Sequence, residues 1–358
     1  MQATAPTRDN LPVLRRALPA RGRRRRALAF IIAALVATAV AGSAALARTT
    51  EARVGTGVVV IKTTLGYQDS SAAGTGMVLT SSGEILTNHH VIRGATKVTV
   101  VVPGTGHSYT AKIVGYDVTD DIAVLRAVGA SNLATVTTAA SSKVTIGDAV
   151  TAIGNAGGTG SLSTVTGAVT ELHRSIVVSD DTGGRARLTG LVGINANVVA
   201  GDSGGPLLNG ANAVIGMNTA GSTGYVSRSS TDSQAYAIPI GKALSIVRRI
   251  EAGRATTRIH IGATSFLGVQ VASTLRNGDF ESPGVVIAGI LRGSPAASAG
   301  LSVGDVITAI DGHATSTSSS ITTALLAKKP GSKVTIRVTD RLGASHSVSA
   351  TLVAGPAQ

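Results

Sequence analysis

Short runs rich in Val, Ile and Thr recur along this chain between clusters of Gly, Ser and Asn, a spacing that predicts many short β-strands rather than long helices. Gly57-Val58-Val59-Val60-Ile61 and Gly76-Met77-Val78-Leu79 read as strands, with the small-residue stretch around Ser70 to Thr75 as the turn between them. Another strand ends at Thr87 within Gly83-Glu84-Ile85-Leu86-Thr87-Asn88-His89-His90-Val91-Ile92, and Ile122-Ala123-Val124-Leu125 reads as a further one. Two segments break this pattern. Residues 27–47 are an uncharged run rich in Ala, Val, Ile and Leu, and residues 242–250 place apolar side chains at helical spacing with Arg248 and Arg249 near the end, a short connecting helix. From about Ile261 the strand pattern restarts, with one more helix expected over 318–327. The chain is therefore mainly β and divides into a folded part over 55–240, a connecting segment over 241–260 and a second folded part over 261–355.

Length agrees with that division, since 358 residues suit about two domains of roughly 150 residues each. The absence of cysteine removes disulfides, a thiol nucleophile and cysteine-ligated metal from consideration. A net charge of +13 would point to nucleic acid if it were spread over the folded parts, but Arg8, Arg15, Arg16, Arg21 and Arg23 to Arg26 against Asp9 place more than half of it in residues 1–26. The remainder is thin and lacks interleaved aromatics, so nucleic-acid binding is not expected. Behind that basic tail, residues 27–47 at about 1.5 Å rise per residue just reach across a hydrocarbon core of roughly 30 Å. The arginines orient such a span with the N-terminus in the cytoplasm and everything after residue 47, starting with the linker 48–54, outside. Ala45-Leu46-Ala47 also fits a signal-peptidase site, so two expectations stand: a single-pass membrane anchor, or a secreted protein released by cleavage.

The candidate chemistry centres on Gly201-Asp202-Ser203-Gly204-Gly205-Pro206-Leu207, where glycines on both sides of a serine permit a tight turn and close approach by a substrate. An ordinary glycine-rich turn would look the same, so the functional reading depends on a base and an acid upstream. His89 and His90 at the exit of a strand supply candidate bases, because imidazole titrates near neutral pH. Among Asp117, Asp120 and Asp121, the last directly precedes an apolar strand, a boundary position where a carboxylate can be buried enough to orient an imidazole. All three could equally be solvated turn residues. The order His, Asp, Ser is that of the chymotrypsin arrangement and differs from the orders of subtilisin and the α/β-hydrolases.

With these residues in place the chain resembles the HtrA/Deg family of trypsin-like serine proteases. Thr87-Asn88-His89-His90-Val91, Asp121-Ile122-Ala123-Val124-Leu125, Ala152-Ile153-Gly154-Asn155, Val214-Ile215-Gly216-Met217-Asn218-Thr219-Ala220 and Tyr236-Ala237-Ile238-Pro239-Ile240 each look like a motif of that family. The resemblance implies a chymotrypsin-like protease domain of two six-stranded β-barrels with the active site between them. It assigns His90 as base, Asp121 as its orienting acid and Ser203 as nucleophile, with the backbone N–H groups of Gly201 and Ser203 as the oxyanion hole. It also implies that Asn218, Thr219 and Ala220 line the substrate cleft. Asp202 departs from the Asn usual in the family, and either a local hydrogen bond or a nearby cation is expected to satisfy it. No carboxylate stands in Asn195-Ala196-Asn197-Val198-Val199-Ala200, so small or medium aliphatic residues, not Lys or Arg, are expected at the cleaved position. The polar loop 179–187 resembles family loops that order the oxyanion hole, and it reads equally well as a surface hairpin.

The second folded part resembles a PDZ domain, a small α+β fold, in Ser294-Pro295-Ala296-Ala297-Ser298-Ala299-Gly300-Leu301 and Val303-Gly304-Asp305-Val306-Ile307 through Asp311-Gly312. Phe266-Leu267-Gly268-Val269 is similar to the loop that receives a peptide's C-terminal carboxylate, with the peptide adding as a strand and the helix near 318–327 as the other wall. His107, His173, His260, His313 and His346 occur singly and read as surface residues, and neither a metal nor another cofactor is expected. The expected function is a cell-envelope serine endopeptidase acting on misfolded or unfolded proteins and regulated through its PDZ domain. The expected partners are protein substrates, C-terminal peptides and the membrane, and the family resemblance implies a homotrimer. The alternative is a peptide-binding, holdase-type protein whose proteolysis is secondary or dormant.

Overall fold

The Val- and Ile-rich runs find their hydrogen-bond partners in two closed barrels. In the first, β1 (Val58–Leu65), β2 (Ser70–Thr80), β3 (Glu84–Thr87), β4 (Lys97–Val101), β5 (Ser108–Asp117) and β6 (Ile122–Ala127) pair in the order β5-β4-β1-β2-β3-β6, and a β5–β6 pairing closes the ring. The second runs β10-β11-β12-β9-β8-β7 from β7 (Ala149–Gly154), β8 (Ser163–Ser179), β9 (Arg185–Ile194), β10 (Pro206–Leu208), β11 (Val214–Thr219) and β12 (Ala235–Pro239). The computed structural model of the chain describes residues 55–139, 143–179, 185–219, 235–272 and 284–357. The basic tail 1–26, the apolar run 27–47, the linker 48–54, Ala220 and residues 180–184 of the loop 179–187 lie outside the described residues. Among the described residues no helix is long and apolar enough to cross a membrane.

Several barrel strands are buried along nearly their whole length, and alternate side chains of each fill the barrel interiors. Val59, Ile61, Val78, Ile85, Val100, Tyr116 and Leu125 meet in the first core, and Val150, Val169, Ile194, Leu207, Ile215 and Ala237 in the second. The small-residue stretch expected as a turn is strand instead: β2 pairs with β1 from Leu65↔Ser70 to Val58↔Met77, and the chain reverses before it. Pairing with β1 gives this stretch its backbone partners, and the missing side chains let neighbours close in. A Cβ on Gly74 would lie 2.6 Å from Val91 and one on Gly76 2.8 Å from Ile85.

One helix and one very short strand connect this body to the second folded part, and a shorter helix lies within the first barrel. α1 (His89–Ile92) follows β3, and α2 (Ile240–Glu251) follows β12, burying Ile240, Ala243, Ile246, Val247 and Ile250 on one face. Strand β13 (Ile259–Ile261), within the expected connecting segment, joins the first barrel along β5. Beyond it, β14 (Thr264–Phe266), β15 (Val269–Ala272), β16 (Val285–Ile290), α3 (Pro295–Ser298), β17 (Val306–Ile310), β18 (His313–Ala314), α4 (Ser318–Leu326), β19 (Lys333–Thr339), β20 (Ser345–Thr351) and β21 (Val353–Gly355) form a separate core around Leu267, Ile287, Ile307, Ile336 and Leu352. Its sheet runs β15-β16-β17-β19-β20 with β18 on β17, beside a β14–β21 pair. Among the described residues β15 is an open edge, and α4 is fixed by a capping box in which Thr317 and Ser320 each bond the other's backbone N–H.

An ionisable contact at its C-terminal end helps pin α2 to the first barrel. Glu84, 4% exposed on β3, pairs with Arg126 at 3.1 Å and shares a side-chain hydrogen bond with Glu251 of α2. Burial, then the Glu251 bond and charge, push Glu84 up from 4.5 to about 7 against the opposing pull of Arg126. A carboxyl raised in the fold favours the folded state while protonated, so its contribution is complete below 4.5 and is lost as pH rises through about 7. Between pH 5 and pH 8 the melting temperature of the wild type is expected to fall by roughly 3 °C more than that of Glu84→Gln, which cannot ionise. Parallel losses in thermal melts at the two pH values would refute this.

Candidate active site

The end of β3 and the start of β6 lie side by side through the pair Thr87↔Ala123, so the residues following one and preceding the other must meet. The meeting is dense. Asp121 accepts at its backbone oxygen from Asn88 Nδ2 (3.0 Å) and His89 N (3.3 Å). Its carboxylate accepts from His90 N at Oδ1 (2.9 Å) and from Thr219 Oγ1 at Oδ2 (3.3 Å), and Oδ2 lies 2.8 Å from His90 Nδ1. With Nδ1 carrying its proton toward Asp121, Nε2 of His90 is the acceptor.

The three aspartates take three different tasks. Asp117 Oδ1 accepts from the N–H groups of Thr119 and Asp120, both at 2.9 Å, and so shapes the turn; burial raises its pKa against the opposing Asp120 hydrogen bond. Asp120 pairs with Lys242 of α2 at 2.6 Å. Asp121, at φ 55°, occupies a left-handed conformation that aspartate tolerates, and this aims its carboxylate back at α1. Burial alone would raise Asp121, but the charge and hydrogen bonds of His90 hold it below the ordinary carboxylate value. For His90, enclosure by protein pulls the imidazole down, and the Asp121 charge and hydrogen bond more than offset it, so the net shift is upward from 6.5. The His90 side chain is 46% exposed against 8% for Asp121, so the pair has one wet face and one dry face.

Ser203 comes from the second barrel and is tied to the first by Thr75, a fully buried residue of β2. Thr75 N donates to Ser203 O (2.9 Å), Thr75 Oγ1 donates to Gly201 O (2.7 Å) and accepts from Asn155 N (2.9 Å), and Thr75 O accepts from Thr87 Oγ1 (2.7 Å). One threonine thus links the serine loop, the turn after β7 and the strand that leads to His90. Sequence reasoning placed Thr75 at the end of a turn and missed this role. The only available signal was a polar residue framed by Gly74 and Gly76.

Gly201 has φ +98°, and a Cβ there would stand 2.1 Å from Asn155 O, so only glycine fits. Ala200 O accepts from Gly157 N at 2.7 Å, and peptide planarity then turns the Gly201 N–H to the opposite side, where it has no hydrogen-bond partner among the described residues. The geometry presents a donor next to the serine. Asp202 takes the local hydrogen bond of the two expected arrangements at one oxygen: Oδ2 accepts from Val199 N at 3.0 Å, while the buried Oδ1 has no hydrogen-bond partner and no ion pair to the carboxyl occurs among the described residues. Burial raises its pKa against that bond, and Oδ1 packs where a Cβ on Gly154 would be 2.5 Å away.

Of the residues expected to line a substrate cleft, Asn218 and Thr219 turn their side chains inward. Asn218 Nδ2 donates to Pro206 O (3.0 Å) and Ile153 O (3.3 Å), its backbone N donates to Gly205 O (2.8 Å) and its backbone O accepts from Gly204 N (2.9 Å), and the Thr219 side chain reaches Asp121 as above, so neither side chain faces a substrate. At the second candidate site, the Leu267 side chain belongs to the core and Phe266 stacks on Tyr67 of the first barrel at 5.0 Å. Gly268 has φ +83°, and a Cβ there would meet Ser294 Cβ at 2.2 Å. Leu267 O accepts from Ala296 N (2.9 Å), which turns the Gly268 N–H away from the core, beside Val269 on the open β15 edge. His260, expected on the surface, is instead partly buried against Tyr116 at 5.1 Å because β13 carries it onto the barrel. Burial lowers its pKa against the Ala263 hydrogen bond.

Comparison with known proteins gives two family matches, a trypsin-like peptidase domain over residues 74–217 and a PDZ domain over 265–352. Serine protease PepD of Mycobacterium tuberculosis is 33% identical over 84% of this chain and 64% of its own length. A probable periplasmic serine endoprotease, DegP-like, of Chlamydia muridarum is 33% identical over 81% of this chain and 56% of its own length. Serine endoprotease DegS of Haemophilus influenzae is 31% identical over 75% of this chain and 74% of its own length. The chain therefore spans under two thirds of the first two relatives.

The Thr75 network predicts a separable defect. Thr75→Val keeps the shape but strands Gly201 O and Asn155 N, and is expected to lower the melting temperature by roughly 5 °C and the rate at which Ser203 reacts with a fluorophosphonate by on the order of tenfold. Thr75→Ser is expected to restore both. A Thr75→Val protein that labels at the wild-type rate would show that the hydroxyl does not hold the loop.

Proposed function

The chain belongs to the HtrA-type serine proteases, which join a trypsin-like peptidase domain to a PDZ domain, and from that premise we propose that it is a serine endopeptidase. The observation that carries the reading is the 2.8 Å contact between His90 Nδ1 and Asp121 Oδ2, with the Gly201 N–H directed away from its own scaffold. Ser203 Oγ attacks the peptide carbonyl while His90 Nε2 takes its proton. The N–H groups of Gly201 and Ser203 hold the developing oxyanion, each donor worth roughly 3 kcal/mol in comparable sites. His90 then returns the proton to the leaving amine, and water repeats the cycle on the acyl-enzyme. Asp121 stays ionised throughout, as its lowered pKa requires.

The substrates proposed are unfolded or misfolded proteins outside the cytoplasm. Support comes from the basic tail and apolar run of residues 1–47, which fit an anchor or an export signal, and from the Chlamydia muridarum relative, which is named as a probable periplasmic protease. The open β15 edge and the outward Gly268 N–H fit a C-terminal peptide as the PDZ ligand. A trimer belongs to the same proposal and is tested by the mass of the purified protein in light scattering.

The test of the reaction uses the full chain and denatured casein. The wild type is expected to cleave and to be labelled at Ser203 by a fluorophosphonate; Ser203→Ala is expected to do neither, and Asp121→Asn to lose about 10⁴-fold in kcat. Because His90 must be neutral to act and its pKa is raised, kcat/KM is expected to climb with pH through a midpoint above 6.5. If wild type and Ser203→Ala are equally inert yet both suppress casein aggregation, the protein is a binding protein and the proposal fails.

A further inference from the structure

The helix that carries His90 cannot hold itself. α1 is four residues long, far below the about 12 residues at which an isolated helix becomes even marginal, and its N-cap residue Asn88 makes no side-chain capping bond. Its position is set by what it packs against, and both of its ends meet residues tied to the PDZ side. At the first end the His89 ring stacks on Tyr116 with centroids 4.7 Å apart and planes 23° apart. At the other, Gly94 N donates to Ala357 O at 2.9 Å beside an Arg93↔Ala357 bridge.

Tyr116 is the denser of these contacts. It is fully buried at the end of β5, and its backbone lies between two strands: Ala123 of β6 on one side, two residues after Asp121, and His260 of β13 on the other. Its ring is flanked by His89 and His260. Its hydroxyl lies 3.0 Å from Thr264 Oγ1, a buried group on the first residue of β14, the strand that runs through Phe266 into the Gly268 turn. Backbone, ring and hydroxyl therefore connect the Asp121 turn and the His90 helix to the entry of the PDZ domain. In this docked arrangement the bonds between Asp121 and His90 are intact.

We propose that Tyr116 is a positioning residue that transmits the seating of the PDZ domain, through Thr264 and β13, to the Asp121–His90 pair, so that the seated PDZ domain supports turnover rather than blocking it. This rests on the protease reading above and names the route by which its regulation reaches the site. A ligand at the Gly268 turn lies two residues from Phe266, which stacks on Tyr67, and four from Thr264, so it has a short path to the same pair.

The test uses the full chain and compares Tyr116→Phe, Thr264→Val, the double variant and Thr264→Ser. Removing the shared hydroxyl bond is expected to lower kcat about fivefold with KM unchanged, the worth of one buried hydrogen bond felt at the transition state. The double variant is expected to be no worse than either single one, because both remove the same interaction, and Thr264→Ser is expected to match the wild type. A fall in melting temperature with kcat intact, or losses in kcat that multiply in the double variant, overturns the proposal and leaves the protease reading standing. A wild type that cleaves nothing and resists fluorophosphonate overturns both, so the two failures are distinguishable.

Discussion

Thr75 is the point at which the two barrels become one site. A serine loop from one barrel and a histidine-bearing helix from the other can cooperate only if their relative position is fixed to a fraction of an ångström. Here a single buried residue, hydrogen-bonded to Gly201, Ser203, Asn155 and Thr87, makes most of the ties, beside the Thr219 bond to Asp121. Buried polar groups of this kind cost more when broken than they contribute when made, which gives the interface one acceptable geometry instead of a family of similar ones.

Electrostatics then divides labour among groups of like chemistry. Asp121 and Asp202 are both buried carboxyls beside the reacting groups, yet their pKa values move in opposite directions. Asp121 faces an imidazole and is held ionised; Asp202 faces only a backbone N–H and is pushed toward its neutral form. The first supplies charge to the histidine. The second supplies shape to the turn that contains the serine, with Gly154 leaving the room it needs.

How far this was legible depends on whether chemistry or packing chose the residue. His90, Asp121 and Ser203 stand out because their functional groups and order are those that the proposed reaction constrains. Thr75 and Tyr116 do not, since a threonine among glycines and one tyrosine in a β-rich chain have many uses. The stretch before Thr75 read as a turn because small residues have low strand propensity, and long-range pairing with β1 overrode that tendency. Asn218 and Thr219 lie on the expected strand, but only coordinates reveal that their side chains point into the protein. β13 is three residues long, too short for any periodicity to show, and it placed His260 against the barrel where a surface histidine was expected.

That short strand also sets an order of events. The first barrel begins at Val58, but the partner along the outer side of Tyr116 and Asp117 is β13, separated from them in sequence by the entire second barrel and α2. Contacts of such sequence separation form late, after the loop-closure entropy of everything between has been met. A chain emerging N-terminus first therefore assembles its serine, histidine and aspartate before the brace behind them is in place, and the site matures only once the linker has been delivered. Maturation is thereby tied to the completeness of the polypeptide, a timing device written into topology.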